Sequence, residues 1–256
     1  MPSDLSVSVE DHLARVVLHR RPVNALNRPF VRELTAAART LARRKDVRVI
    51  SVTSSLGIFC AGADLKERAG LTPSRVGRTV KAIQQMVFAW ASLPQPVVAG
   101  VAGAALGGGL EFALAADLIA ASEEAVFGFP EVTLGIIPAG GGTQLLTDRV
   151  SRATASKWIL TGRRFSGREA AEDRVVDFLW SADDFPTAHE ELLQELAANA
   201  PVALRQAKSA LRKAPAGTLK QRLAFEQRCY APLVRTHDRA EALKAFLEKR
   251  PPVWKG

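Results

Sequence analysis

Residues 97–116 read VVAGVAGAALGGGLEFALAA, twenty residues that are apolar or glycine except for one carboxylate, Glu111. A stretch of this kind must be buried, and no other part of the chain restricts the fold as strongly. Its length suits a membrane helix, and Gly103 and Gly107 have the spacing of a helix-dimer motif. Five glycines, alanine in place of larger apolar residues and an ionisable group in the second half argue against a span. The expected structure is a buried strand at Val97–Val101, a glycine turn and a helix over Leu110–Ala116.

Strand and helix alternate around this stretch. Leu5-x-Val7-x-Val9 and a second extended run from Ala14 to His19 predict a β-hairpin. Val31, Leu34, Ala38 and Leu41 recur at helical spacing, followed by the β-branched run Val47–Thr53 and a loop over Gly57–Asp64. Val76, Val80, Ile83, Val87 and Trp90 predict a second helix, ended by Pro94 and Pro96, and a short strand is expected at Asp117–Ala121. Beyond about residue 187 helical segments dominate, at 188–200, 202–213, 219–234 and 238–250, separated by Pro201, Pro215-Ala216-Gly217 and Pro232. The chain therefore divides into an α/β core over residues 1–186 and a helical region over 187–256.

The chain has 256 residues, 47% hydrophobic and 24% charged, which excludes disordered, collagenous and coiled-coil classes. Two cysteines, Cys60 and Cys229, make no disulfide framework, and the N-terminus has neither a positive n-region nor an apolar core. A reducing, cytoplasmic location without a membrane span is expected. Lys and Arg exceed Asp and Glu by nine, which invites an anionic partner of unspecified chemistry. The basic group Arg205/Lys208/Arg212/Lys213 repeats at helical spacing and is expected to be a solvated helix face. Because it lacks interleaved aromatics, nucleic acid is not the expected partner. The four histidines, His12, His19, His189 and His237, have no ligand spacing, so no metal site is assigned.

Three glycine-rich loops could approach a ligand closely: Phe59–Asp64, Gly103–Glu111 and Pro138–Thr143. None is a nucleotide motif. Phe112 stands where a dinucleotide fingerprint needs glycine, and no Gly-Lys-Ser/Thr or Gly-x-Ser-x-Gly occurs. Backbone donors from the first two loops could hold a developing oxyanion. Glu111 among apolar neighbours is the sharpest candidate for acid–base work, because burial raises a carboxyl's proton affinity. Glu131, after Phe127-Gly128-Phe129-Pro130, is a second acid in similar surroundings.

Taken in order, several segments resemble the enoyl-CoA hydratase/isomerase (crotonase) superfamily. They are Arg21–Leu26, Phe59–Glu67, Leu106–Glu111, Phe129–Pro138 followed by Gly140–Gln144, and Ala245–Pro251. The resemblance implies a spiral of ββα turns with a C-terminal helical extension that packs homotrimers or dimers of trimers. It implies an acyl-CoA substrate, with coenzyme A as part of the substrate and no separate cofactor. The thioester oxygen would lie between the amides of Ala63 and Gly108. Ala61, Asp64, Leu65 and Lys66 fall at coenzyme A-binding positions, as do Phe246 and Lys249 near the C-terminus, sometimes across a subunit boundary. Glu111 and Glu131 match the two hydratase acids, which favours hydration of a trans-2-enoyl-CoA. Isomerisation or another crotonase reaction is the alternative, and a non-catalytic nucleic-acid-binding protein a distant one. Two departures stand out: Arg174 replaces a helix-ending glycine, so the turn must differ or be strained, and Ala139 brings a methyl toward the acyl pocket.

Overall fold

The computed structural model describes residues 3–213 and 216–256, without the side chain of Lys213. Met1, Pro2 and the Pro215 of the expected inter-helix turn lie outside the described residues. The N-terminal hairpin forms from β1 (Leu5–Glu10) and β2 (Leu13–Leu18), paired antiparallel. Its two-residue turn is Asp11-His12, with φ of 47° and 67°, the positive values that match strand twist in such turns. Next, α1 (Arg28–Leu41) is capped by the Asn27 side chain, which accepts the Phe30 amide at 2.9 Å. All four apolar residues predicted to face inward, Val31, Leu34, Ala38 and Leu41, are buried.

Successive turns of the chain then place one strand in each of two sheets. The first contains β3 (Val49–Ser54), β4 (Ile58–Cys60), α2 (Leu65–Ala69) and α3 (Pro73–Ala91). The second turn is the apolar stretch itself, as β5 (Val97–Val101), β6 (Ala104–Leu106) and α4 (Gly108–Leu114). A third contains β7 (Leu118–Ser122), β8 (Val126–Gly128), a 3₁₀ turn at Pro130–Leu134, α5 (Gly142–Arg149) and α6 (Arg152–Leu160). The last strands are β9 (Arg164–Ser166) and, after α7 (Gly167–Glu172), β10 (Phe178–Trp180). One sheet runs β1-β2-β3-β5-β7-β10 and the other β4-β6-β8-β9, parallel except at β1–β2 and β8–β9. This is the expected spiral.

Four helices complete the described chain: α8 (Phe185–Ala197), α9 (Pro201–Lys213), α10 (Leu219–Tyr230) and α11 (His237–Leu247). The boundary expected between residues 186 and 187 falls inside α8. Leu192 and Leu193 of that helix pack on Leu13, Val49, Val98 and Ala120, covering one face of the larger sheet. The main core fills the other side, where Trp90 donates to the Leu34 carbonyl at 3.0 Å. Among the described residues no helix is long and apolar enough to cross a membrane.

The basic stripe of α9 corrects the expectation of a solvated face. Lys208 is buried, with Nζ 2.7 Å from the Gln95 carbonyl and 2.6 Å from Asp117 Oδ2. Arg212 donates to the carbonyls of Ala91, Ala115 and Ala116, and Arg205 to those of Arg44, Lys45 and Val47. The carbonyls of Ala91, Ala115 and Ala116 sit at or just past the ends of α3 and α4, and those of Arg44, Lys45 and Val47 lie in the loop between α1 and β3. A helix leaves its last carbonyls unpaired and its C-terminus partly negative. Arg212 therefore caps the ends of α3 and α4, while Arg205 pins the loop that follows α1.

Arg174 follows α7 with φ of 61°, so the left-handed turn that usually takes glycine survives the substitution as backbone strain.

Candidate active site

The two hydratase-like acids reach one cavity from different elements. Glu111 lies on α4, whose seven residues are all buried. Its helix starts two residues before the predicted Leu110, because Gly107 turns the chain at φ 50° and ψ −123°. A side chain at Gly107 would be strained there and would also meet Glu131 Oε1 at 2.7 Å. Glu131 sits in the first turn of the 3₁₀ segment behind β8. The glycine thus sets both the start of α4 and the closeness of the second acid.

The two carboxylates are held differently. Glu111 is 3% exposed, and its Oε1 accepts the amides of Gly140 and Gly142 at 2.7 and 2.9 Å. Burial pushes its carboxyl above the usual range, while these backbone donors pull it back by stabilising the anion. Among the described residues Glu131 has no such pair of donors, and its buried Oε2 has no hydrogen-bond partner. Burial pushes Glu131 up to about 7, with the Glu111 charge adding to the rise. Glu111 thus has backbone donors that stabilise its anion, whereas Glu131 is set to keep a proton near neutrality.

The cavity has a volume of about 120 Å³. Ala63 and Gly108 both line it, from the loop after β4 and the start of α4. Their backbones meet closely: a Cβ built on Gly108 would lie 3.5 Å from the Ala63 amide nitrogen. Neither N–H is taken by a backbone acceptor among the described residues. Two free donors beside two acids are the elements of an oxyanion-stabilising, proton-transferring site.

Six of the ten residues predicted for the site line this cavity: Ala61, Ala63, Leu65, Gly108, Glu111 and Glu131. Four do not. Asp64 caps α2, accepting the Lys66 and Glu67 amides at 3.1 and 3.2 Å, and pairs with Arg20 at 3.2 Å. Lys66 is exposed on α2, Phe246 is 81% exposed on α11, and Lys249 follows that helix. Ala139 lines the cavity as expected, and its carbonyl accepts Gln84 Nε2 at 2.7 Å.

Sequence reasoning missed Arg68, Val80, Ile83, Leu134, Ile136 and Ile137, which also line the cavity. Val80 and Ile83 belong to the periodic stripe that predicted the second helix, and that stripe divides between core and cavity. The exposed pair Ile136-Ile137, between Gly135 and Pro138, did carry a signal: adjacent large apolar residues in a loop. Arg68 carried none. Among the described residues no three His, Cys, Asp or Glu side chains gather as metal ligands.

Comparison with known proteins gives one answer from sequence and structure. Residues 8–256 match the family model described as enoyl-CoA hydratase/isomerase. The human methylglutaconyl-CoA hydratase, mitochondrial, is 41% identical over 238 residues, covering 91% of this chain and 70% of that protein. The probable enoyl-CoA hydratase 2, mitochondrial, of Arabidopsis thaliana is 40% identical over 242 residues, covering 92% and 79%. Among solved structures, the enoyl-CoA hydratase from Bacillus anthracis superposes with a TM-score of 0.96 at 38% identity, covering 99% of each chain.

Proposed function

Since the chain belongs to the enoyl-CoA hydratase/isomerase family, we propose that it is an enoyl-CoA hydratase, adding water reversibly across the C2–C3 double bond of a trans-2-enoyl-CoA. The observation that carries this reading is the pair Glu111 and Glu131 on one cavity with the free amides of Ala63 and Gly108. The thioester oxygen accepts from those two amides, which stabilise the enolate-like charge as it develops. Water bonds to C3 and gives up a proton to Glu111, the better-stabilised anion. Glu131 supplies the proton that bonds to C2. Proton exchange with solvent resets the pair, so the net change is H and OH added across C2 and C3.

Coenzyme A enters as part of the substrate along Ala61 and Leu65, with Lys66 beside its phosphates. Phe246 and Lys249, outside the cavity of their own chain, complete that site from a neighbouring subunit of a homotrimer or dimer of trimers. The small cavity walled by Val80, Ile83 and Ile137 suits a short acyl group.

The test is the loss of conjugated-thioester absorbance with crotonyl-CoA and longer homologues. Wild type should be active, and Glu111→Gln and Glu131→Gln should each lose roughly 10²- to 10⁴-fold in kcat. Full activity in both variants refutes the mechanism. Conversion of a β,γ-enoyl-CoA with no hydration of crotonyl-CoA replaces it with isomerisation.

A further inference from the structure

Arg68 is the cavity feature that water addition leaves unexplained. It lies one helical turn beyond Leu65 on α2, so both face the cavity. The same cavity takes apolar walls from Val80 and Ile83 of α3. Arg68 is half-buried with its Nε enclosed, and an enclosed donor with an unmet hydrogen bond is costly. Among the described residues Arg68 forms no ion pair, and its buried Nε has no hydrogen-bond partner.

The nearest explanation is that Arg68 serves the two acids. Its charge is felt by Glu111 and Glu131, lowering the proton affinity of both. Yet it bonds neither. Glu131 Oε2 is itself buried without a partner, so a donor and an acceptor share one cavity unpaired. A fixed internal ion pair would have closed that gap. An open donor and an open acceptor are what a cavity presents to a ligand.

We infer that Arg68 is a specificity-determining residue that binds a carboxylate at the far end of a short acyl group, making the substrate a trans-2-enoyl-CoA with a carboxylated acyl chain. This rests on the hydratase reading above. The chemistry fits the side chain: a planar guanidinium fork matches a carboxylate with two parallel hydrogen bonds, which few other groups can replace. A simple alkyl chain would leave the guanidinium desolvated and unpaired, so neutral acyl groups are selected against as well.

Glutaconyl-CoA and trans-pent-2-enoyl-CoA have equal carbon counts and differ in that terminal carboxylate. With wild type, kcat/KM should favour glutaconyl-CoA. Arg68→Met should lower the ratio of the two kcat/KM values about 10- to 100-fold, mainly through KM for glutaconyl-CoA, and Arg68→Lys should restore part of it. If Arg68 only supports the acids or the fold, both substrates fall together and the ratio stays fixed, which overturns the proposal. Calorimetric titration with the saturated analogues glutaryl-CoA and pentanoyl-CoA separates this from the hydratase reading. Tighter binding of glutaryl-CoA that depends on Arg68 supports the assignment even if neither enoyl-CoA is hydrated, in which case only the hydratase reading fails. Equal binding of the two analogues overturns it.

Discussion

Glu111 and Glu131 differ in their backbone donors, and that difference has a consequence in pH. Glu131 is raised by burial from an ordinary 4.5 to about 7. If its protonated form delivers the C2 proton, kcat/KM for hydration should fall as pH rises through about 7. Dehydration needs the ionised form, so its rate should rise through the same range. Steady-state rates in both directions from pH 5.5 to 9 test this, and a flat hydration profile contradicts it. The sign for stability follows from the same shift. Between about pH 4.5 and 7 the folded chain holds a proton that the unfolded chain has released, so Glu131's contribution to stability falls as pH rises across that window. Both acids were visible in the sequence because a carboxylate among apolar residues is rare enough to notice. Ala63 and Gly108 were visible only through family resemblance, since a backbone donor leaves no mark in residue type. Arg68 was invisible: α2 has five residues, too few to show which side faces a ligand.

At the scale of elements, the long periodic pieces were legible and the short ones were not. Four strands of the larger sheet with five or six residues, β1, β2, β3 and β5, show alternation or β-branched runs, and β7 is a short apolar run. β4, β6, β8 and β9 have three residues each, too few for any period, so the second sheet could not be read residue by residue. The stripe on α9 was misread because periodicity identifies a helix face but not what covers it. Its partners are the Asp117 carboxylate and backbone carbonyls of distant helix ends and loops, and a carbonyl has no sequence signature. Lys208→Met removes the buried ammonium from Asp117 while Arg212 remains 3.0 Å from the same carboxylate. The expected loss is about 2–4 kcal/mol in urea unfolding, short of a fully orphaned charge. A loss below about 0.5 kcal/mol, the level of an exposed pair, would restore the solvated-face reading.

Across the whole molecule, burial is uneven. The sheets and α4 form a dense core, whereas among the described residues α10 buries only Cys229. Leu211, Leu219, Leu243 and Leu247 are exposed on the C-terminal helices of the single chain. If these helices pack a homotrimer, folding is coupled to association, and Tm should rise with protein concentration. Calorimetric scans over a hundredfold concentration range test this, and a constant Tm together with a monomeric sedimentation coefficient would refute it. Asp117 ties this periphery to the centre. Its Oδ2 accepts the Val97 amide at 2.8 Å, its amide donates to the Val97 carbonyl at 2.9 Å, and its carboxylate binds Lys208 and Arg212. These contacts predict that the start of β5 and the middle of α9 open as one cooperative unit rather than two. In native-state hydrogen exchange, the Val97 amide should share the opening free energy of the α9 amides, and Lys208→Met should speed both equally. Exchange along α9 with Val97 still protected would show that the helix opens alone.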